Sequence, residues 1–282
     1  MAKYEQIVRS LVFATDIDVL ADDHELIRRE GFWVVRSPSN PSFWWGNFLL
    51  FDDSPAAGDS RHWEQLFVEQ FADLPGVRHR TFGWDRVDGD TGSADAEFVA
   101  RGYELNRATG LIAGADALRP HPRENRDVEV RALSPEPGAD EELWAQVVAI
   151  QAADPPRGTG GDYHLRYLRN RQAGYRELFR AGRGAWFVAL DGQQVLSTLG
   201  IVVTERRARY QQVDTVASHR RGGIASRLIV EAARLSSATH AIDHFVIVAD
   251  PEYHAIGLYE SVGFAPVETV CSLQLIPLNA HD

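Results

Sequence analysis

The run Val213-Asp214-Thr215-Val216-Ala217-Ser218-His219-Arg220-Arg221-Gly222-Gly223-Ile224-Ala225 joins a strand-like start to a basic turn and a glycine pair. Gly222 and Gly223 carry no Cβ, so an anion can come close to the backbone N–H groups. Ile224, Leu228, Ile229, Ala232 and Ala233 then follow at helical spacing. The turn therefore opens a helix, where unbonded N–H groups and the helix dipole favour negative charge. His219, Arg220 and Arg221 crowd that positive end, at ~0.3–1 kcal/mol for each cation. An ordinary helix start would carry Ser, Asp or Asn as cap and acids in its first turn. Breaking that rule marks a site for a polyanion, the alternative being a glycine turn with exposed arginines that happens to precede a helix. Neither Gly-Lys-Ser/Thr nor Gly-x-Gly-x-x-Gly occurs in this turn, which sets aside P-loop and dinucleotide chemistry.

A second run lies downstream. His244-Phe245-Val246-Ile247-Val248-Ala249 reads as a buried strand, and Asp250 to Phe264 follows it. Arg220-Arg221-Gly222-Gly223-Ile224-Ala225 resembles the Arg/Gln-x-x-Gly-x-Gly/Ala turn of the GCN5-related N-acetyltransferase (GNAT) superfamily. Glu252-Tyr253-His254-Ala255-Ile256-Gly257-Leu258-Tyr259-Glu260-Ser261-Val262-Gly263-Phe264 resembles that family's Asn-x-x-Ala-x-x-Leu-Tyr-x-x-x-Gly-Phe signature. The two stand in the family's order, and the resemblance covers Val128 to Leu275.

The resemblance implies acetyl-CoA as co-substrate, no metal, and direct transfer to a primary amine of a small molecule in a ternary complex. It puts the pyrophosphate on the amides of Arg221, Gly222, Gly223, Ile224, Ala225 and Ser226, with Arg220 shaping the turn. It runs the pantetheine arm along the backbone of Val213 and Thr215, between two splayed strands, with the Val213 amide as oxyanion donor. It makes Tyr259 the general acid, which suits a phenol of pKa about 10. For the general base, Asp214, Glu205, His164, Glu252 and a water chain all stay open. Glu252 stands where the family has Asn, and a carboxylate cannot donate the hydrogen bonds an amide can. A CoA-binding regulatory or interaction module without catalysis is the alternative on the same fold.

Composition narrows the rest. The 282 residues carry a net charge of −11, which argues against a nucleic-acid partner. No apolar stretch is long enough to cross a bilayer, and Leu11-Val12-Phe13-Ala14 is too short for a signal-peptide core, so a cytoplasmic protein is expected. The single cysteine, Cys271, excludes an intrachain disulfide and reads as a buried small hydrophobe. The ten His residues show no paired metal spacing.

The elements that must hold these residues read as follows. Val128–Leu133, Ala185–Leu190, Val195–Val203 and Arg209–Val216 are strands, with a hairpin turn at Asp191-Gly192. Glu141–Ala152 and Tyr163–Phe179 are helices. In the first half, Gly31–Val35, Trp45–Phe51 and Arg80–Trp84 read as strands and His62–Phe71 as a helix. Phe98-Val99-Ala100-Arg101-Gly102-Tyr103 repeats the aromatic-to-glycine spacing of Tyr259 to Gly263, followed again by an aromatic. The expected architecture is α+β: a GNAT fold with a mixed, mostly antiparallel sheet flanked by helices, in two tandem copies. The copies are a degenerate N-terminal domain over 1–120 and an acetyl-CoA-binding domain over 127–282, joined near Arg119–Asn125. In the first copy Asp52, Asp53 and Asp59 stand near the turn, and their charge would repel a pyrophosphate. The aromatic run Asn40–Phe48 lines either a substrate groove or the core. Monomer and homodimer are both compatible with the sequence.

Overall fold

The computed structural model describes residues 8–93, 95–155, 161–252 and 255–276; Tyr253 and His254 of the second signature lie outside these. The first half runs α1 (Leu11–Asp18), β1 (Glu25–Arg29), β2 (Phe32–Arg36), β3 (Phe48–Phe51), α2 (Asp59–Gln70), β4 (Arg80–Trp84), α3 (Asp95–Ala100) and β5 (Glu104–Gly114). The second runs β6 (Glu129–Ala132), α4 (Glu141–Ala152), α5 (Gly161–Arg180), β7 (Gly184–Asp191), β8 (Gln194–Thr204), β9 (Arg207–Thr215), α6 (Ile224–Ser237), β10 (His244–Ala249), α7 (Ala255–Ser261) and β11 (Ala265–Leu275).

These elements form two compact units that exchange segments. One holds the chain up to Thr109, a segment ending at Arg171, and the chain from Glu268. The other holds Gly110–Pro155 and Gln172–Val267. Strands β5 and β11 and helix α5 therefore each contribute residues to both.

In the first unit β1, β2 and β3 pair antiparallel, β3 and β4 pair parallel, and Ser272–Leu275 of β11 pair antiparallel with β4. Its core is aromatic. Trp63 stacks on Phe51 at 3.6 Å between ring centroids, and Phe82 packs edge-on against Phe98 at 5.8 Å. Such pairs contribute about 0.5–1.5 kcal/mol each beyond the area they bury. Trp45, Gly46 and Asn47 do not extend β3 as the sequence reading expects. Trp44–Gly46 is a short 3₁₀ turn, because the Asn47 side chain bonds the backbone at Ser37, Asn40 and Phe43. Cys271 is buried, its thiol pushed up by desolvation and donating to Gly89 O at 3.3 Å.

In the second unit β6 to β9 form an antiparallel meander, and β10 lies parallel to β9. The stripe Ile224, Leu228, Ile229, Ala232, Ala233 of α6 is buried against the sheet with Leu199, Ile201 and Phe245, as its spacing predicts. Tyr210, buried on β9, donates its hydroxyl to Ile229 O at 2.8 Å and so anchors α6 over that strand.

Candidate functional site

The site begins with an irregularity in β9. Thr198 pairs with Asp214, but the next pairing is Gly200 with Gln211, so β9 uses one more residue than β8. The extra residue is accommodated at Gln212, whose φ of +48° is left-handed and unusual for a side chain of that size. Gln151 on α4 donates to Gln212 Oε1 at 3.2 Å, and the Tyr175 hydroxyl on α5 donates to Gln211 Oε1 at 2.8 Å. Helices therefore clamp the bulge from one side. On the other side, the parallel pairing of β9 with β10 ends at Arg209 and Val246, although the strands run on to Thr215 and Ala249. The two strands part there, and the backbone from the bulge to Thr215 faces the opening.

The turn after β9 is built as a cradle. A 3₁₀ turn over Ala217–His219 leads to Arg220, whose Nε donates to Thr215 O at 3.1 Å and whose Nη2 meets Asp154 at 3.3 Å. Arg221 and Gly223 both have positive φ, +63° and +77°. Glycine is required at the second. A Cβ on Gly223 would stand 2.0 Å from Arg123 O, and the Asn125 N–H already donates to Gly223 O at 3.0 Å. The segment expected to be a linker thus braces the turn from behind. Helix α6 has no capping side chain and no acid in its first turn. Arg227 N–H bonds Gly223 O at 3.3 Å, so the amides of Ile224, Ala225 and Ser226 precede the first helical bond.

Strand, turn and α7 enclose a groove of about 400 Å³. Its wall brings together Val213, Thr215, Arg220, Arg221, Gly223, Ile224, Ala225, Ser226 and Tyr259, all expected from sequence. Gly222 lies exposed in the same turn and is not on the wall. Asp214, His219, Ala255 and Leu258 complete it. Ala255, Leu258 and Tyr259 share one face of α7 by their spacing, and Tyr259 is 7% exposed. Of the four base candidates only Asp214 is on this wall. Burial raises its carboxyl to about 6, against the opposing pull of Arg220 and with help from the charge of Asp154. His164 belongs to the first unit, Glu205 turns the β8–β9 hairpin, and Glu252 is exposed.

The first unit repeats part of this geometry with its opening closed. After α3, Arg101 N–H and Tyr103 N–H both donate to Phe98 O at 3.0 Å, and Gly102 N–H donates to Val99 O. After α7, Val262 and Phe264 donate to Tyr259 O at 3.2 and 3.1 Å, and Gly263 donates to Glu260 O. Strands β3 and β4, however, stay paired to their ends at Phe51 and Trp84, and Asp85 N–H extends the ladder to Phe51 O at 2.8 Å. The α2 start is occupied by the chain's own carboxylates. Glu97 accepts from Gly58 N–H at 3.1 Å and Ser60 Oγ at 3.2 Å, and Asp59 accepts from Ala56 N–H at 2.8 Å. Asp52 turns away to pair with Arg28 at 2.6 Å. The carboxylate that matters most here, Glu97, lies on α3, so no local pattern in the sequence pointed to it.

Among the described residues no group of three or more His, Cys, Asp or Glu could hold a metal ion, and no helix is long and apolar enough to cross a membrane.

Residues 144–264 match the acetyltransferase (GNAT) family. No curated protein matches the chain significantly. A functionally unknown conserved protein from Staphylococcus epidermidis superposes with a TM-score of 0.70 at 14% identity, over 89% of this chain and 94% of that one. A GCN5-related N-acetyltransferase from Kribbella flavida gives 0.62 at 13% identity over 96% of each. A tandem GNAT protein from the clavulanic acid biosynthesis pathway gives 0.53 at 14% identity, over 92% and 87%. At these identities the likeness is one of fold.

Proposed function

From a chain whose residues 144–264 form an acetyltransferase (GNAT) family domain, we propose an N-acetyltransferase that uses acetyl-CoA and acts on a primary amine of a small molecule. The observation that carries this reading is the junction of the parted strands with the uncapped start of α6 in one groove. A backbone edge and a row of amides at an uncapped helix start fit a pantetheine arm followed by a pyrophosphate. Arg221, Gly223, Ile224, Ala225 and Ser226 would hold the pyrophosphate, with Val213 and Thr215 beside the arm.

The bound donor supplies an acyl thioester, whose carbonyl carbon gains a bond to the amine nitrogen as its bond to sulfur breaks. The chain's own residues move two protons and steady one charge. Asp214, ionised at neutral pH by its value of about 6, takes a proton from the amine nitrogen. The Val213 N–H donates to the oxygen that becomes negative. The Tyr259 hydroxyl gives a proton to the departing sulfur. The first unit is read as a silent second copy, closed by Glu97 and by the intact β3–β4 ladder.

The test is release of free CoA thiol from acetyl-CoA in the presence of a panel of primary amines. The expected result is amine-dependent thiol release by the wild type. Saturable acetyl-CoA binding with no amine-dependent release from a broad panel would favour the non-catalytic CoA-binding module.

A further inference from the structure

A second cavity lies wholly within the first unit and takes no part in the proposed transfer. It measures about 220 Å³ and is walled by Phe43, Trp44 and Trp45 from the turn before β3, by Tyr163 and Tyr167 from the first turns of α5, and by Gln274 of β11. Five aromatic rings around a space smaller than the ~300–1,000 Å³ of drug-sized pockets suit a flat molecule of one or two rings.

Three polar side chains, Ser42, His164 and Gln274, also line this cavity. Ser42 donates its hydroxyl to Asn40 Oδ1 at 3.0 Å, the His164 ring packs against Tyr167 at 5.7 Å, and Gln274 is 8% exposed. Asn106 Nδ2 donates to its Oε1 at 3.2 Å, which fixes the amide orientation. Its Nε2 is buried and has no hydrogen-bond partner among the described residues. A buried donor left unmade costs about 1–3 kcal/mol, so it calls for an acceptor. The surrounding charge points to an anionic one. Arg171 lies over the Phe43 ring at 4.2 Å, Arg78 and Arg166 both act on the Tyr163 hydroxyl, and no Asp or Glu is on the wall. An ammonium ligand would meet rings backed by cations.

We propose that this cavity binds a small aromatic carboxylate, with its ring among Phe43, Trp44, Trp45, Tyr163 and Tyr167 and a carboxylate oxygen accepting from Gln274 Nε2. The site does not depend on the acetyl-transfer reading, because it shares no residue with the α6 groove.

The test is a calorimetric titration of the full chain, without acetyl-CoA, using benzoate and benzylamine as probes. Benzoate should bind saturably and at least about tenfold more tightly than benzylamine. Gln274→Leu keeps the side-chain volume, removes the donor, and should weaken benzoate by about tenfold, the worth of a hydrogen bond to a charged group. A melting curve checks that the variant folds. If it does not, the side-chain amide resonance of Gln274 in the wild type should move on adding benzoate and stay in place on adding benzylamine. No saturable benzoate binding at millimolar concentrations, equal affinity for benzylamine, or indifference to both Gln274→Leu and the amide readout would overturn the proposal.

Discussion

In the proposed reaction Asp214 would serve chemistry at the expense of stability. Its carboxyl titrates near 3.8 in an unperturbed chain and at about 6 in the fold, because it is buried. Between those values the folded chain holds more protons than the unfolded one, so stability falls as pH rises through that window. Above pH 6 the full penalty of a charged, partly buried carboxylate is present. Asp214→Asn should therefore raise stability at pH 7 by on the order of 1 kcal/mol, discounted for partial solvent access, while lowering turnover at least ~100-fold. Chemical denaturation at pH 7 alongside thiol-release kinetics measures both. In the wild type kcat/KM should climb with a midpoint near pH 6, and Asp214→Asn should lose that limb. Tyr259→Phe should keep donor affinity and slow turnover; an unchanged kcat would remove the general-acid role. Tyr259 was legible from its motif. Asp214 was legible only as one candidate of several, since alternation along a strand does not reveal burial or which charges oppose it.

At the scale of elements, the turn from β9 to α6 was legible because it breaks a local rule: cations stand where acids belong, and glycines stand where the backbone must be bare. What braces the turn was not legible. Arg123 and Asn125 read as linker residues, yet they contact Gly223 across ~100 residues of chain, a separation no local spacing encodes. This makes a sharp prediction. Gly223→Ala should destabilise the chain by about 2 kcal/mol or more, from a Cβ at 2.0 Å from Arg123 O added to a left-handed backbone. Gly222→Ala should cost clearly less than Gly223→Ala, since its φ is not positive and its Cβ would meet His219 O at 3.3 Å, a tight contact that a shift of a few tenths of an ångström relieves. Thermal melts of both variants give the comparison. The bulge at Gln212 was equally hidden, because nothing in Tyr210-Gln211-Gln212-Val213 announces it. It arises from Gln151 and Tyr175 on helices distant in sequence.

For the whole molecule, the strands and helices of the second half were mostly readable from period and turn residues, and β4 and α4 end where the sequence places them. The exchange of segments between units was not, because nothing local in Glu104–Gly114 or Ala265–Leu275 marks where β5 and β11 divide their residues between two units. The two units carry similar geometries that differ in which one is open. In the second unit the strands part and α6 starts without a carboxylate; in the first the ladder is closed and Glu97 accepts from the Gly58 N–H just before α2 and from the Ser60 hydroxyl. The direct test is a calorimetric titration with acetyl-CoA of the wild type and of Ala225→Glu. That substitution places an acid in the first turn of α6, which favours the helix by ~0.3–1 kcal/mol while setting a carboxylate where the pyrophosphate would lie. One site per chain in the wild type, lost in a variant that melts no lower, is the predicted result. Two sites per chain, or a single site that survives Ala225→Glu, would contradict it.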